Sequence, residues 1–206
     1  MSLAEIVEKH PSDKCVKWGH DYIGGYSELF DLKKNNVKNV LEIGIGCLDH
    51  EKAMQQGGCE YRNGNSLRMW RDYFVNANIY AIDIFPEAML TEEERIQTYL
   101  ADQSSETSLS NFKNEISSKL DIIIDDGSHL ANHQVFSFIH LEDSLTNDGI
   151  YVIEDIQPNY IESFKDLSIF PEDYQPYIES KYEISWFDTR SKTGIVDDFL
   201  MVFKRK

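Results

Sequence analysis

Positive charge is scarce in this sequence: 20 Lys and Arg stand against 36 Asp and Glu, a formal net charge of −16. So acidic a surface repels phosphate backbones and anionic lipid headgroups, and the terminal KRK is the only basic run, so neither nucleic acid nor membrane is expected as a partner. Any anionic substrate needs a local cation, either a metal or a few placed Arg or Lys. Cysteine is also sparse. Cys15, Cys47 and Cys59 are odd in number and lack zinc-type pairing, which fits incidental thiols in a reducing compartment, although Cys47 and Cys59 could bracket a loop. No apolar stretch approaches the length of a membrane span. The opening MSLAEIVEKHPSDK has neither the apolar core nor the cleavage site of a signal peptide. A cytoplasmic protein is the expectation. With no internal repeat, low-complexity tract or linker, the 206 residues are expected to form a single domain, 1–206.

What is present is alternation. Short apolar runs predict strands at 38–43, 78–84, 96–100, 120–125 and 149–154, with two more near 182–188 and 198–204. Amphipathic stretches between the first five predict helices over 65–74, 108–117 and 132–145, with Asn65 or Ser66 and Asn132 as N-caps. Strand–helix alternation with continuous apolar strands means a parallel sheet covered on both faces. The last two strands are joined by TRSKTGIVD, which leaves no room for a helix and so predicts a hairpin with an antiparallel last strand. The fold class expected is therefore α/β: the class I methyltransferase, Rossmann-like architecture, with a seven-stranded, mostly parallel sheet.

The first strand runs into VLEIGIG (40–46), where Gly44 and Gly46 let the backbone turn sharply and approach a ligand at the strand's carboxyl end. A dinucleotide site would add a third glycine opening a helix at once. Here CLDHEKAMQQGGCEYRNGN (47–65) intervenes, which speaks against a nicotinamide cofactor. The second strand ends at Asp83, about 40 residues after Glu42, where an acid can accept hydrogen bonds from both ribose hydroxyls. The third is followed by ADQSS (101–105), which sets Asp102 within reach of an adenine amino group. In order along one sheet, the glycines, Asp83 and Asp102 outline an adenosine-shaped pocket, and Glu42 counts with them on the cofactor side.

DIIIDDGSH (121–129) brings a fourth strand end to the same rim. Asp125 and Asp126 are adjacent, so in extended geometry they point to opposite faces, one to the cofactor side and one to the substrate side. The next strand ends YVIEDIQ (151–157), with Glu154 and Asp155 paired in the same way. Four carboxylates at neighbouring strand ends repel one another unless something lies between them, and a hard divalent cation resolves that while leaving positions for substrate oxygens. His129, three residues beyond Asp126, is the candidate general base. His133, one turn on, reads as a packing or capping residue.

Taken together, VLEIGIG, GNSLRMWRDYF, IYAIDI, LADQS, DIIIDDGSH and GIYVIEDIQ resemble the S-adenosylmethionine-dependent sugar O-methyltransferases of the macrocin and mycinamicin type, a wider family that includes cephalosporin hydroxylase-like proteins. The lead-in SDKCVKWGHDYIGGYSELF is similar as well, and the match runs from Ser12 to Gln157. The resemblance implies that Gly44 and Gly46 shape the cofactor turn and Ser66 meets the methionine carboxylate. It implies that Asp83 takes the ribose hydroxyls, with Asp102 and Gln103 beside the adenine. Asp126, Glu154 and Asp155 would ligate magnesium (or manganese), and His129 would be the base. Residues 1–37 would form a lead-in covering the cofactor site. Macrolide enzymes of this type carry a large N-terminal domain without counterpart here, and the stretch 47–65, expected to touch substrate, differs from theirs.

The expected function is metal-dependent methylation of a sugar hydroxyl, on a small-molecule or glycan acceptor. Vicinal hydroxyls would chelate the ion while His129 takes the proton. The alternatives are an O-methyltransferase for a non-sugar vicinal diol, a metal hydrolase with no nucleoside cofactor, and a non-catalytic S-adenosylmethionine-binding module. The sequence leaves the acceptor sugar open, and whether the chain forms a homo-oligomer.

Overall fold

The computed structural model describes residues 1–46 and 62–206. Seven strands form one sheet in the order β3-β2-β1-β4-β5-β7-β6. They are β1 (Asn39–Ile43), β2 (Asn78–Asp83), β3 (Ile96–Leu100), β4 (Leu120–Asp125), β5 (Leu145–Ile153), β6 (Tyr182–Asp188) and β7 (Phe199–Arg205). The first five pair in parallel, and β7 runs antiparallel between β5 and β6. This is the class I methyltransferase fold that the strand pattern predicts. The chain winds outward from β1 to β3 and then crosses back to β4 on the other side of β1, so the carboxyl ends of β1 and β4 flank the crevice where open α/β sheets bind ligands.

Eight helices accompany the sheet among the described residues: α1 (Leu3–Val7), α2 (Ile23–Phe30), α3 (Asn65–Tyr73), α4 (Glu106–Ile116), α5 (Ala131–Leu141), α6 (Ile161–Lys165), α7 (Gln175–Lys181) and α8 (Arg190–Thr193). Side-chain alternation along the strands sorts the core into two layers. Val40, Ile122, Ile124, Ile150 and Val152 pack under α1, α2 and α3, through Leu3, Tyr26, Phe30 and Trp70 among others. Leu41, Ile43, Ile123, Tyr151 and Ile153 pack under α4 and α5, through Leu109, Phe112, Val135 and Phe138. The same alternation fixes where each acid at the strand ends must point.

Several expectations are corrected. The β6–β7 connection does hold a single helical turn, α8, closed by Gly194 in a left-handed conformation. Asn65 and Ser66 lie inside α3, whose cap is Gly64. Asn132 lies inside α5, where Ser128 Oγ accepts from Leu130 N at the helix mouth. The helix predicted to 145 stops at Leu141, and Leu145 already begins β5. Helices α1, α2, α6 and α7 were not expected, although α1 opens on a capping box formed by Ser2 and Glu5. No helix among the described residues is long and apolar enough to cross a membrane.

Candidate active site

The carboxyl ends of β1 to β4 open into a cavity of about 420 Å³. Gly44, Gly46, Ser66, Asp83, Asp102 and Gln103 line one part of it, and Asp126 and His129 another. These eight predicted residues are brought together. Glu42, Asp125, Glu154 and Asp155 are not among the lining residues.

Local geometry explains the walls. Gly44 has φ +94°, and a Cβ there would sit 2.2 Å from the Asp126 carbonyl oxygen, so only glycine lets the β1 and β4 turns cross this closely. Asp83 Oδ2 accepts from Ile45 N at 3.0 Å and Oδ1 from Phe85 N at 3.0 Å, which fixes its carboxylate at the rim. Asp102 Oδ1 accepts from Ser104 N (2.8 Å) and Oγ (2.7 Å). Gln103 is a strut: Nε2 donates to Asp125 Oδ1 at 3.1 Å, and Oε1 accepts from Ser128 N at 2.7 Å. A Cβ on Gly127 would collide with that Oε1 at 2.2 Å. His133 Nδ1 lies 2.9 Å from Ser128 Oγ, beside the cavity.

The adjacent aspartates do part company, to opposite faces of the sheet, and only Asp126 lines the cavity. Asp125 pairs with Ile43 and Ile153 in the sheet, so it faces the α4–α5 layer and is fully buried. Burial pushes it up to about 7, against the hydrogen bonds from Gln103. It does not reach the cavity: it stands behind Gln103, in the layer that also carries the lining residues Ile43, Ile82 and Ala101, so any part it has on the cofactor side runs through Gln103. An acid raised on folding binds more protons folded than unfolded, so it weakens the fold as pH climbs from its ordinary value near 3.8 towards about 7. Asp125→Asn should remove that contribution. Its stability relative to the parent should rise over this window by up to about 1.4 kcal/mol per pH unit, as read by urea unfolding. A pH-independent difference would show that Asp125 does not titrate there.

Glu42, Asp126 and Glu154 face the other layer, and between them stands a residue that the sequence reading left without a role. Lys14, with 1% of its side chain exposed, places Nζ against Asp126 Oδ2, 2.9 Å from Glu154 Oε1 and 3.2 Å from Glu42 Oε1. Burial works against the ammonium, but Asp126, Glu154 and Glu42 outweigh it and hold the amine well above its ordinary value. Burial pushes Glu42 up to about 6, with Lys14 pulling the other way. Ser66 Oγ donates to Glu42 Oε2 at 2.9 Å, so Glu42 acts behind the cavity wall, on Ser66. Burial first, and then the charge of Asp126, hold Glu154 and Asp155 well above the usual carboxylate range.

The lead-in supplies the remaining partners. Tyr26 OH donates to Glu154 Oε1, and Tyr22 OH donates to Asp155 Oδ1 at 2.5 Å. His20 stacks on Tyr22 and sets Nε2 3.5 Å from Asp155 Oδ1. Ser12 and Asp13 reach the cavity itself. The segment SDKCVKWGHDYIGGY is where these residues stand in the sequence; four acids needing positive charge and donors were the signal that should have drawn attention to it.

Asp126, His129 and Asp155 can each offer one ligand atom, all within 4.8 Å of one another. His129 Nε2 is 3.8 Å from Asp155 Oδ2, and its buried Nδ1 has no hydrogen-bond partner. His129 and Asp155 both hold positive φ, 55° and 54°, which non-glycine residues seldom adopt and which turns both side chains off their strand ends. The two carboxylate oxygens suit magnesium or manganese, hard cations that prefer oxygen donors, and leave the ring nitrogen available to a proton. Glu154 stands outside this group: Lys14 and Tyr26 already engage it. The stretch 47–61, expected to touch substrate, and with it Cys47 and Cys59, lies outside the described residues.

The sequence matches no family model. Among curated proteins it is similar to 8-demethyl-8-alpha-L-rhamnosyl tetracenomycin-C 2'-O-methyltransferase of Streptomyces olivaceus, 37% identical over 164 residues, which are 79% of this chain and 40% of that one. It is similar also to demethylmacrocin O-methyltransferase of Streptomyces fradiae, 36% identical over 150 residues, 72% of this chain and 35% of that one. The chain spans about two fifths of the length of these relatives. Among solved structures, the MycE methyltransferase of the mycinamycin pathway, in complex with Mg and SAH, aligns with a TM-score of 0.74 and 25% identity over 100% of this chain and 55% of that one. The chain thus has the fold of the class I S-adenosylmethionine-dependent methyltransferases. Within that class it is a relative of the macrocin- and mycinamicin-type sugar O-methyltransferases, as the motifs from VLEIGIG to IEDIQ imply.

Proposed function

We propose that this protein transfers a methyl group from S-adenosylmethionine to a hydroxyl of a sugar, with a divalent cation, magnesium or manganese, at the acidic cluster. The reading takes residues 1–206 as one catalytic unit, its lead-in covering the cofactor, and places it in the cytoplasm. The observation that carries it is the junction of two half-sites. A cavity lined by Gly44, Gly46, Asp83 and Asp102 meets Asp126 and His129 at one end, with Asp155 directly behind.

In this reading the Asp83 carboxylate, fixed by two backbone N–H groups, accepts the ribose hydroxyls, and Asp102 lies at the adenine end. Ser66, held by Glu42, meets the methionine carboxylate. Gln103 fixes the wall between Asp102 and Ser128. Asp126 and Asp155 hold the cation, Glu154 joins them when Lys14 releases it, and His129 takes the proton of the acceptor hydroxyl. A divalent cation, when bound, supplies the Lewis acidity that makes such a proton easier to remove. Positioning and electrostatics then account for most of the acceleration. No lysine or arginine is among the described residues lining the cavity, so a cation is also the natural source of positive charge at its acceptor end. A hydrolase working through the acids alone would leave the nucleoside-sized cavity without a use.

Calorimetry with S-adenosylhomocysteine, with and without magnesium, tests the reading, followed by a screen of nucleotide sugars and glycosides for methyl transfer. Asp83→Ala should weaken cofactor binding roughly 10- to 100-fold through loss of a charged hydrogen-bond acceptor. An unchanged dissociation constant would put the cofactor elsewhere.

A further inference from the structure

The geometry points to Lys14 as a built-in counter-ion that competes with the divalent cation for Asp126 and Glu154. The inference rests on the proposed metal function of the cluster and adds a residue that acts against it. Four acids, Glu42, Asp126, Glu154 and Asp155, converge at the ends of β1, β4 and β5. One ammonium reaches three of them, and the one it does not reach, Asp155, is the one shared with His20 and His129. Asp126 is the hinge of the arrangement, since it touches Lys14 and also belongs to the Asp126–His129–Asp155 group.

Electrostatics gives the competition its sign. An ammonium beside the ligands repels a dication, and it also occupies lone pairs on Asp126 and Glu154 that the cation could use. Without Lys14, the buried carboxylates of Glu42, Asp126 and Glu154 have no counter-charge, which is strongly unfavourable until a cation arrives. Cation binding is therefore coupled to the lead-in. Lys14 is tied to that segment by its carbonyl oxygen, which accepts from Tyr22 N at 3.1 Å, and its neighbours Ser12 and Asp13 line the cavity. A cation that draws Asp126 and Glu154 away from Nζ loosens the anchor of the segment beside the cofactor.

The test is manganese binding read by electron paramagnetic resonance, which needs no turnover. Lys14→Met should bind Mn2+ at least about tenfold more tightly than the parent, because one repelling charge is gone. Lys14→Arg, which keeps the charge, should stay within about threefold. Lys14→Met should also melt lower than the parent in EDTA and gain more from added metal. Equal or weaker binding by Lys14→Met, with the parent binding normally, would overturn the role of Lys14 and leave the metal reading standing. No binding by the parent or either variant would overturn both.

A measurement on the parent protein covers the case in which Lys14→Met does not fold. The buried Lys14 ammonium, shielded from water and within ion-pair distance of three carboxylates, should give a protected 15N–ammonium signal that is absent from Lys14→Arg. Saturating Mg2+ should shift that signal or abolish its protection. A signal indifferent to Mg2+ would overturn the competition.

Discussion

EDTA is expected to abolish methyl transfer by this protein, and magnesium or manganese to restore it. The proposed ligands are hard carboxylate oxygens, so neither thiolate chemistry nor a soft metal is called for. Asp155→Asn is the most discriminating variant. Its side chain keeps an oxygen for Tyr22 OH, which donates to Asp155 at 2.5 Å, but loses the charge that a cation requires. Asp155 does not line the cavity, so affinity for S-adenosylhomocysteine should be unchanged while turnover falls roughly 10³-fold or more, the several kcal/mol a Lewis acid supplies. Asp126→Asn is less clean, because Asp126 also faces Lys14 and the cavity. Full activity after exhaustive chelation would refute a metal-dependent mechanism and return Asp126, His129 and Asp155 to a structural role.

The contrast between Asp155 and Asp125 shows where the sequence was informative. Strand ends are legible because β-branched runs stop abruptly at acids and glycines, so β2, β3, β4 and β6 fall where the pattern puts them, within a residue. The period of two correctly separates Asp125 from Asp126. It cannot say which acid reaches the cavity and which stops behind another side chain, and Asp125 stops at Gln103. The glycines and Asp83 were readable because a turn chemistry and a ribose need those residue types. Lys14, Tyr22 and Tyr26 were not, because they act from a segment more than a hundred residues away from Asp126, Asp155 and Glu154. No local periodicity encodes such a contact. The mutual repulsion of four carboxylates was legible as a problem, and a dication was only part of the answer.

His129 decides whether the cluster has a base distinct from its metal. Its nitrogen shares the 4.8 Å group with Asp126 and Asp155, so one position could serve as ligand or as proton acceptor. Substitution should preserve the backbone, and His129 sits at φ 55°, a conformation that asparagine tolerates better than alanine. His129→Asn should lower kcat by a factor of roughly 10² to 10⁴, the usual contribution of a positioned acid–base group. If His129 is the base, Mn2+ affinity stays within about threefold of the parent, since both carboxylates remain. The rate of the parent then rises with pH as the base loses its own proton, and that limb is missing from the variant's profile. A ligand would behave in the opposite way on both counts. Mn2+ would bind at least about tenfold more weakly in the variant, as expected for one lost donor, and the rising limb would persist because the acceptor hydroxyl itself was titrating. The 35% exposure of the side chain and its place in the cavity wall favour the base, for a proton acceptor must face the substrate. An unaltered limb together with weakened metal binding would reassign His129 as the third ligand.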